Sequence, residues 1–158
     1  MIIRILWSLA VVVALSEALT AAERIEFQAQ HICVSTLFDT TLVSDEAGHM
    51  LAKFKASGVG LRREGPDEPP YKIEIWGVGD YHADGTGSDL GYGKFIFADG
   101  SSYYEKWSSE VKDGRAVGRA VYYAGTGRFE GMEDHSTFDC ALMDDRFVCE
   151  VDGVLELP

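Results

Sequence analysis

The stretch "GYGKFIFADGSSYYEKWSSEVKDGRAVGRAVYYAG", residues 91–125, holds three runs that alternate apolar and polar residues, separated by Asp99-Gly100 and Asp113-Gly114. Alternation at period two marks strands half buried against a core. Asp-Gly tolerates the positive φ angles of type I′ hairpin turns, and connections this short force neighbouring strands to run antiparallel. Closing both turns as two-residue loops aligns Lys94, Glu105 and Tyr122 in one cross-strand row. Tyr92, Trp107 and Ala120 form the next row on the same face, and Phe95, Tyr104 and Tyr123 form a row on the other. Both faces are aromatic, so the pattern leaves open which one looks inward.

The same alternation extends outward from this stretch. Strand-like runs cover 25–36, 50–62, 71–81, 90–98, 101–111, 116–124, 136–143 and 147–157, with turn-forming residues such as "EGPDEPP" at 64–70 between them. No long segment carries a helical period. Eight antiparallel strands must hide two edges and an apolar face, and closure into a barrel does both. The expected fold is therefore all-β, an eight-stranded antiparallel β-barrel.

Residues 1–22 read as a secretory signal peptide, with Arg4 before the apolar core "ILWSLAVVVAL" and a small-residue cleavage site at Thr20-Ala21-Ala22. The apolar run stops at Ser16 and Glu17, short of the roughly 20 residues that span a bilayer. Removing 22 of the 158 residues leaves 136, one domain at 23–158, exported to a periplasm or extracellular space and with no membrane span. The formal net charge of −12 opposes binding to nucleic acid or to an anionic bilayer, which depends on Lys and Arg.

Three cysteines remain to be placed: Cys33, Cys140 and Cys149. Folding "CALMDDRFVC" about Asp144-Asp145 pairs Leu142 with Phe147, Cys140 with Cys149, and Phe138 with Val151, all apolar or cysteine on one face. This pairing implies a Cys140–Cys149 cross-strand disulfide, compatible with export, with Cys33 a buried thiol. Asp139 and Glu150 oppose each other on the other face, so that face meets water and the six apolar and cysteine side chains point inward.

"YYAGTGRFEGMEDHS", residues 122–136, puts Gly125, Gly127 and Gly131 after an apolar run, where a nucleotide-binding protein has its phosphate loop. The chain beyond Gly131 alternates like a strand, with no helix to receive a phosphate, and Glu130, Glu133 and Asp134 would repel one. "DYHADGTGSD", residues 80–89, imitates the start of a calcium loop, but its twelfth position falls on Gly91 instead of a bidentate Glu. It reads as a polar hairpin loop. His31, His49, His82 and His135 have no zinc-ligand spacing, no Gly-x-Ser-x-Gly elbow is present, and neither a metal nor a cofactor site is read from the sequence.

The "YYAGTGRFEG" turn, with "GYGKFIFADGSSYYEKW" before it and a last strand ending "GVLELP", resembles the allene oxide cyclase and dirigent-like β-barrel superfamily, across residues 91–158. The resemblance implies an eight-stranded barrel with an apolar lumen, found as oligomers in plant relatives, acting by shaping a pocket. The leading expectation is an exported barrel holding a small apolar or amphipathic molecule against Tyr92, Lys94, Tyr103 and Trp107. An isomerase or cyclase working by confinement is the alternative, with Glu105 as acid or base and Tyr122 as hydrogen-bond donor. On the opposite facing, Lys94 and Glu105 would be a solvated ion pair on the outer wall. An interaction module with an acidic surface is the third reading.

Overall fold

Residues 23–158 are described by a computed structural model, and the leader reading of residues 1–22 lies outside them. The strands are β1 (Glu23–Leu42), β2 (Met50–Glu64), β3 (Tyr71–Tyr81), β4 (Gly87–Ile96), β5 (Ser102–Lys112), β6 (Arg115–Thr126), β7 (Asp134–Leu142) and β8 (Arg146–Leu157). They pair antiparallel in sequence order, and β1 closes on β8, so the sheet is a barrel. Alternate residues are buried along strands such as β3 and β5, which is the period-two pattern read in three dimensions.

The two barrel ends differ. At one end, Tyr71, Phe95, Phe97, Tyr103 and Phe129 stack with ring centroids 4.7–5.5 Å apart along the chain of contacts Tyr71–Phe97, Phe97–Phe129, Phe97–Tyr103 and Phe95–Tyr103. The glycine-rich turn supplies the last ring. After Thr126 the chain makes a short 3-10 turn, Gly127–Phe129, that drops Phe129 into the barrel. A Cβ on Gly125 would collide with the Phe129 carbonyl oxygen, so only glycine permits the approach. Arg128 lies over Phe97 and Phe129 and pairs with Glu68 and Asp99. The motif that mimics a phosphate loop is a stopper.

The other end is a mouth, bounded by the loops after β1, β3, β5 and β7. Here β1 runs past its β8 partner. It pairs with β8 only as far as Val34, but with β2 as far as Leu42. A bulge at Thr36 shifts the register, so that Ser35 and Phe38, three residues apart, both face the interior.

The β5–β6 turn is the two-residue type expected, with Asp113 and Gly114 both at positive φ and Glu105 opposite Tyr122. The β4–β5 turn is not. Phe97 and Ser101 are the closing pair, leaving three residues in the loop, with Gly100 at φ +84°. Asp99 favours this form because its carboxylate accepts hydrogen bonds from both the Ser101 N–H, at 2.9 Å, and the Ser101 hydroxyl, at 2.5 Å. The one-residue slip turns every β4 side chain to the opposite face from that expected. Gly93, not Lys94, stands opposite Glu105, and Phe95 and Phe97 point inward.

Candidate functional site

Between stopper and mouth lies a cavity of about 450 Å³. Its wall is apolar where Phe54, Ile73, Ile75, Trp107, Val111 and Ala116 meet it, and the mouth is rimmed by Phe38, Met50, Leu142 and Met143. On the β7–β8 side stand Phe138, Cys140, Leu142, Phe147, Cys149 and Val151, the six residues that the last hairpin's pairing assigns to the inner face. Cys140 and Cys149 are directly paired and form a disulfide, with Cα atoms 3.9 Å apart. Cys33, from β1, is a buried free thiol lining the same cavity. Burial, and secondarily the Glu105 charge, pushes its pKa up to about 12, so it stays protonated and unreactive.

Polar groups are few and deep. Glu105, on the inner face of β5, is 8 % exposed and has no hydrogen-bond or ionic partner among the described residues. Burial alone pushes its pKa up to about 8, so the carboxyl is mainly protonated at neutral pH. Room for it comes from β4, where Gly93 faces it and a Cβ would fall 2.6 Å from a Glu105 oxygen. Asp89 is the second buried acid. It accepts a short hydrogen bond from the Tyr81 hydroxyl, and desolvation raises its pKa, with Tyr81 and Ser109 partly offsetting the rise. His31 contacts the Tyr71 hydroxyl at 2.9 Å, and burial followed by the nearby Arg62 charge lowers its pKa to about 3, which keeps the ring neutral. At neutral pH Glu105 and His31 are thus present mainly in their uncharged forms.

The sequence-selected residues divide three ways. Glu105 and Trp107 line the cavity. Tyr103 and Tyr122 are interior but stack against each other, centroids 5.1 Å apart, in the aromatic layer beneath it. Burial raises both phenols well above their ordinary pKa and holds them neutral. Tyr92 and Lys94 do not face the lumen. The β4 slip puts them on the outer wall, Tyr92 at 47 % exposure and Lys94 with its ammonium 5.3 Å from the Tyr104 ring. There Tyr92 belongs to an external row, Lys55, Trp76, Tyr92 and Lys106 across β2 to β5. The expected Lys94–Glu105 pairing, inside or outside, does not form, since the two residues lie on opposite faces.

Sequence reasoning did not place Asp89, Tyr81, His31 or Phe54 in the lumen. Asp89 was hidden by its neighbours: in "DYHADGTGSD" it looks like one more loop carboxylate, and only the β4 facing turns it inward. Asp84 of that stretch does close the hairpin, accepting from the Thr86 N–H and hydroxyl.

No protein-family model matches the chain, and no curated protein matches it. Solved structures do. A conserved protein of unknown function from Rhodopseudomonas palustris superposes with a TM-score of 0.55 at 10% identity, over 85% of this chain and 97% of that one. A protein of unknown function from Clostridium acetobutylicum ATCC 824 gives 0.53 at 9% identity, over 84% and 97%. The pterocarpan synthase dirigent protein GePTS1 gives 0.52 at 10% identity, over 96% and 97%. At such identities the likeness is one of architecture, and the chain has a dirigent-like eight-stranded barrel fold.

Proposed function

We propose that the protein is an exported barrel that holds a small, largely apolar molecule in its lumen, with a polar group of the ligand hydrogen-bonded to Glu105 or Asp89. The observation that carries this reading is the cavity itself: about 450 Å³ of apolar space ending on two buried carboxyls. Ligand pockets of this size are typically apolar with a few placed polar groups. A core that existed only for stability would be filled with side chains to near-crystalline density. Export agrees with the leader reading and with the disulfide, and among the described residues no helix is long and apolar enough to cross a membrane.

Glu105 supports a second reading, a cyclase or isomerase that works by confinement. An acid that is mainly neutral at pH 7 and faces a largely apolar cavity can donate a proton to a bound substrate and recover it. Allene oxide cyclase-like chemistry belongs to this reading.

The test is to purify the tag-free protein from its native host and analyse it by native mass spectrometry, then denature it and identify what is released. A stoichiometric apolar metabolite is the expected result. If nothing is released, and the protein also fails to bind a panel of fatty-acid, terpenoid and phenolic probes, lumen binding is wrong. Turnover of a released metabolite that disappears in Glu105→Gln would select the catalytic reading.

A further inference from the structure

A second cluster of chemistry-bearing side chains stands on the barrel mouth, away from Glu105. The loop after β1 carries Asp45, Glu46 and His49, and the end of β3 with the loop after it carries Asp80, His82 and Asp84. One ligand atom from each of Glu46, His49 and His82 lies within 4.8 Å of the others. The two imidazoles stack with centroids 4.9 Å apart. His82 Nδ1 meets Glu46 Oε1 at 2.5 Å, while His49 is held at both nitrogens, Nδ1 by Asp45 at 2.6 Å and Nε2 by Asp80 at 2.7 Å.

Three features separate this cluster from an ordinary polar loop. His49 is only 9 % exposed, a poor position for an imidazole with no task. Four carboxylates gather here, yet no Lys or Arg among the described residues pairs with any of them. The donor set is also mixed, two imidazoles with carboxylates, which suits zinc and its neighbours and is poor for calcium or magnesium.

We propose that Glu46, His49 and His82 bind a zinc-type divalent cation at the barrel mouth, with Asp80 as the fourth ligand. In this arrangement the cation replaces the proton between His49 Nε2 and Asp80. Asp45 keeps accepting from His49 Nδ1–H, so it fixes the tautomer and the ring orientation as a carboxylate behind a ligating histidine does. Tetrahedral bonds of about 2.0 to 2.1 Å require ligand atoms about 3.4 Å apart. The cluster therefore has to rearrange, its hydrogen-bonded pairs at 2.5 and 2.7 Å parting and its wider separations closing, which two facing loop segments with exposed Glu46 and His82 side chains allow. The bound ion would join the loop after β1 to the loop after β3. His49 directly precedes Met50 and His82 directly follows Tyr81, and both of those neighbours line the cavity, so zinc occupancy would stiffen one side of its entrance.

The probe is zinc itself, added to tag-free protein stripped with a chelator and dialysed. Native mass spectrometry is expected to show one zinc per chain, and competition with a chromophoric chelator a micromolar or tighter Kd. His82→Ala and Glu46→Ala, both at exposed positions, are expected to weaken binding at least tenfold with unchanged circular dichroism. Asp45→Asn is expected to weaken it about tenfold or more. His135→Ala, on β7 and outside the cluster, serves as the control and should leave affinity unchanged. The proposal fails if zinc does not bind stoichiometrically, if His82→Ala matches the control, or if millimolar calcium displaces zinc. The last result would reveal a diffuse acidic patch.

Discussion

Glu105 and Gly93 are direct cross-strand partners, and the carboxyl occupies the volume that any side chain at position 93 would need. A single glycine on β4 thereby decides whether an ionisable group can sit at the floor of the lumen. Gly93→Ala is expected to push the Glu105 head group further into the cavity and weaken lumen ligands. The measurement is displacement of a fluorescent apolar probe, with a several-fold loss of affinity in the variant and near-native circular dichroism.

The buried acid gives a signed pH dependence. Its folded pKa is about 8 against 4.5 for the ordinary group, so the unfolded chain releases the proton first. Stability from this residue is then highest below pH 4.5 and declines as pH rises to about 8, by up to about 5 kcal/mol. His31 has the opposite sign, because its depressed pKa of about 3 makes the fold lose stability as pH falls below 6.5. The His31 effect fades above about pH 7, leaving Glu105 and, with the same sign, His49, whose pKa the Asp45 and Asp80 hydrogen bonds raise. Urea unfolding from about pH 7 to 8.5 should show a fall in wild-type stability that Glu105→Gln reduces.

Binding should distinguish the two walls of β4 and β5. Trp107→Ala enlarges and roughens the cavity wall and is expected to cost lumen affinity tenfold or more. Tyr92→Ala and Lys94→Ala alter only the outer wall and should change it by less than about twofold. Equal losses from all three would contradict the β4 facing.

The disulfide closes a short loop, with a sequence separation of nine residues. The chain-entropy treatment assigns a loop of that length about 2 to 3 kcal/mol. Cys140→Ser with Cys149→Ser should lose about that much in thermal unfolding, and reducing agent should lower the melting temperature of the wild type but not of the double variant.

The stopper is a packing device, so Phe129→Ala should cost about 3 to 5 kcal/mol, the usual figure for a buried ring. Arg128→Ala removes a half-exposed side chain but strands the Glu68 carboxylate, only 9 % exposed, so a cost above the about 1 kcal/mol of a surface pair is expected. Chemical denaturation of the two variants side by side makes the comparison.

Strand count, antiparallel order, closure and the last hairpin were all legible, because each rests on local alternation and on turn chemistry that leaves few options. Cys140 met Cys149, and Asp139 met Glu150, in the expected register. The site was less legible, and the reason is one residue wide. Asp99-Gly100 permits both a two-residue and a three-residue loop, and the choice depends on a carboxylate binding Ser101, which composition does not announce. That ambiguity reversed Tyr92 and Lys94 while leaving Glu105, Trp107 and Tyr122 correctly grouped, since the Asp113-Gly114 turn on their side is unambiguous. The grouping of His49 with His82 was beyond sequence spacing altogether, because neighbouring hairpins bring them together.

The overrun of β1 beyond β8 also has a bearing on how the molecule behaves in crowded solution. A closed barrel offers no unsatisfied backbone ladder to other chains, but residues 37–42 have a sheet neighbour on one side only, and Leu37, Phe38 and Leu42 are exposed there. Unprotected strand margins of this kind are where proteins recruit one another into extended assemblies. Asp39 within the segment is the one charge that discourages such recruitment. If this protein forms fibrils or precipitates on storage, growth should begin at this lip and not at the fully paired wall around it.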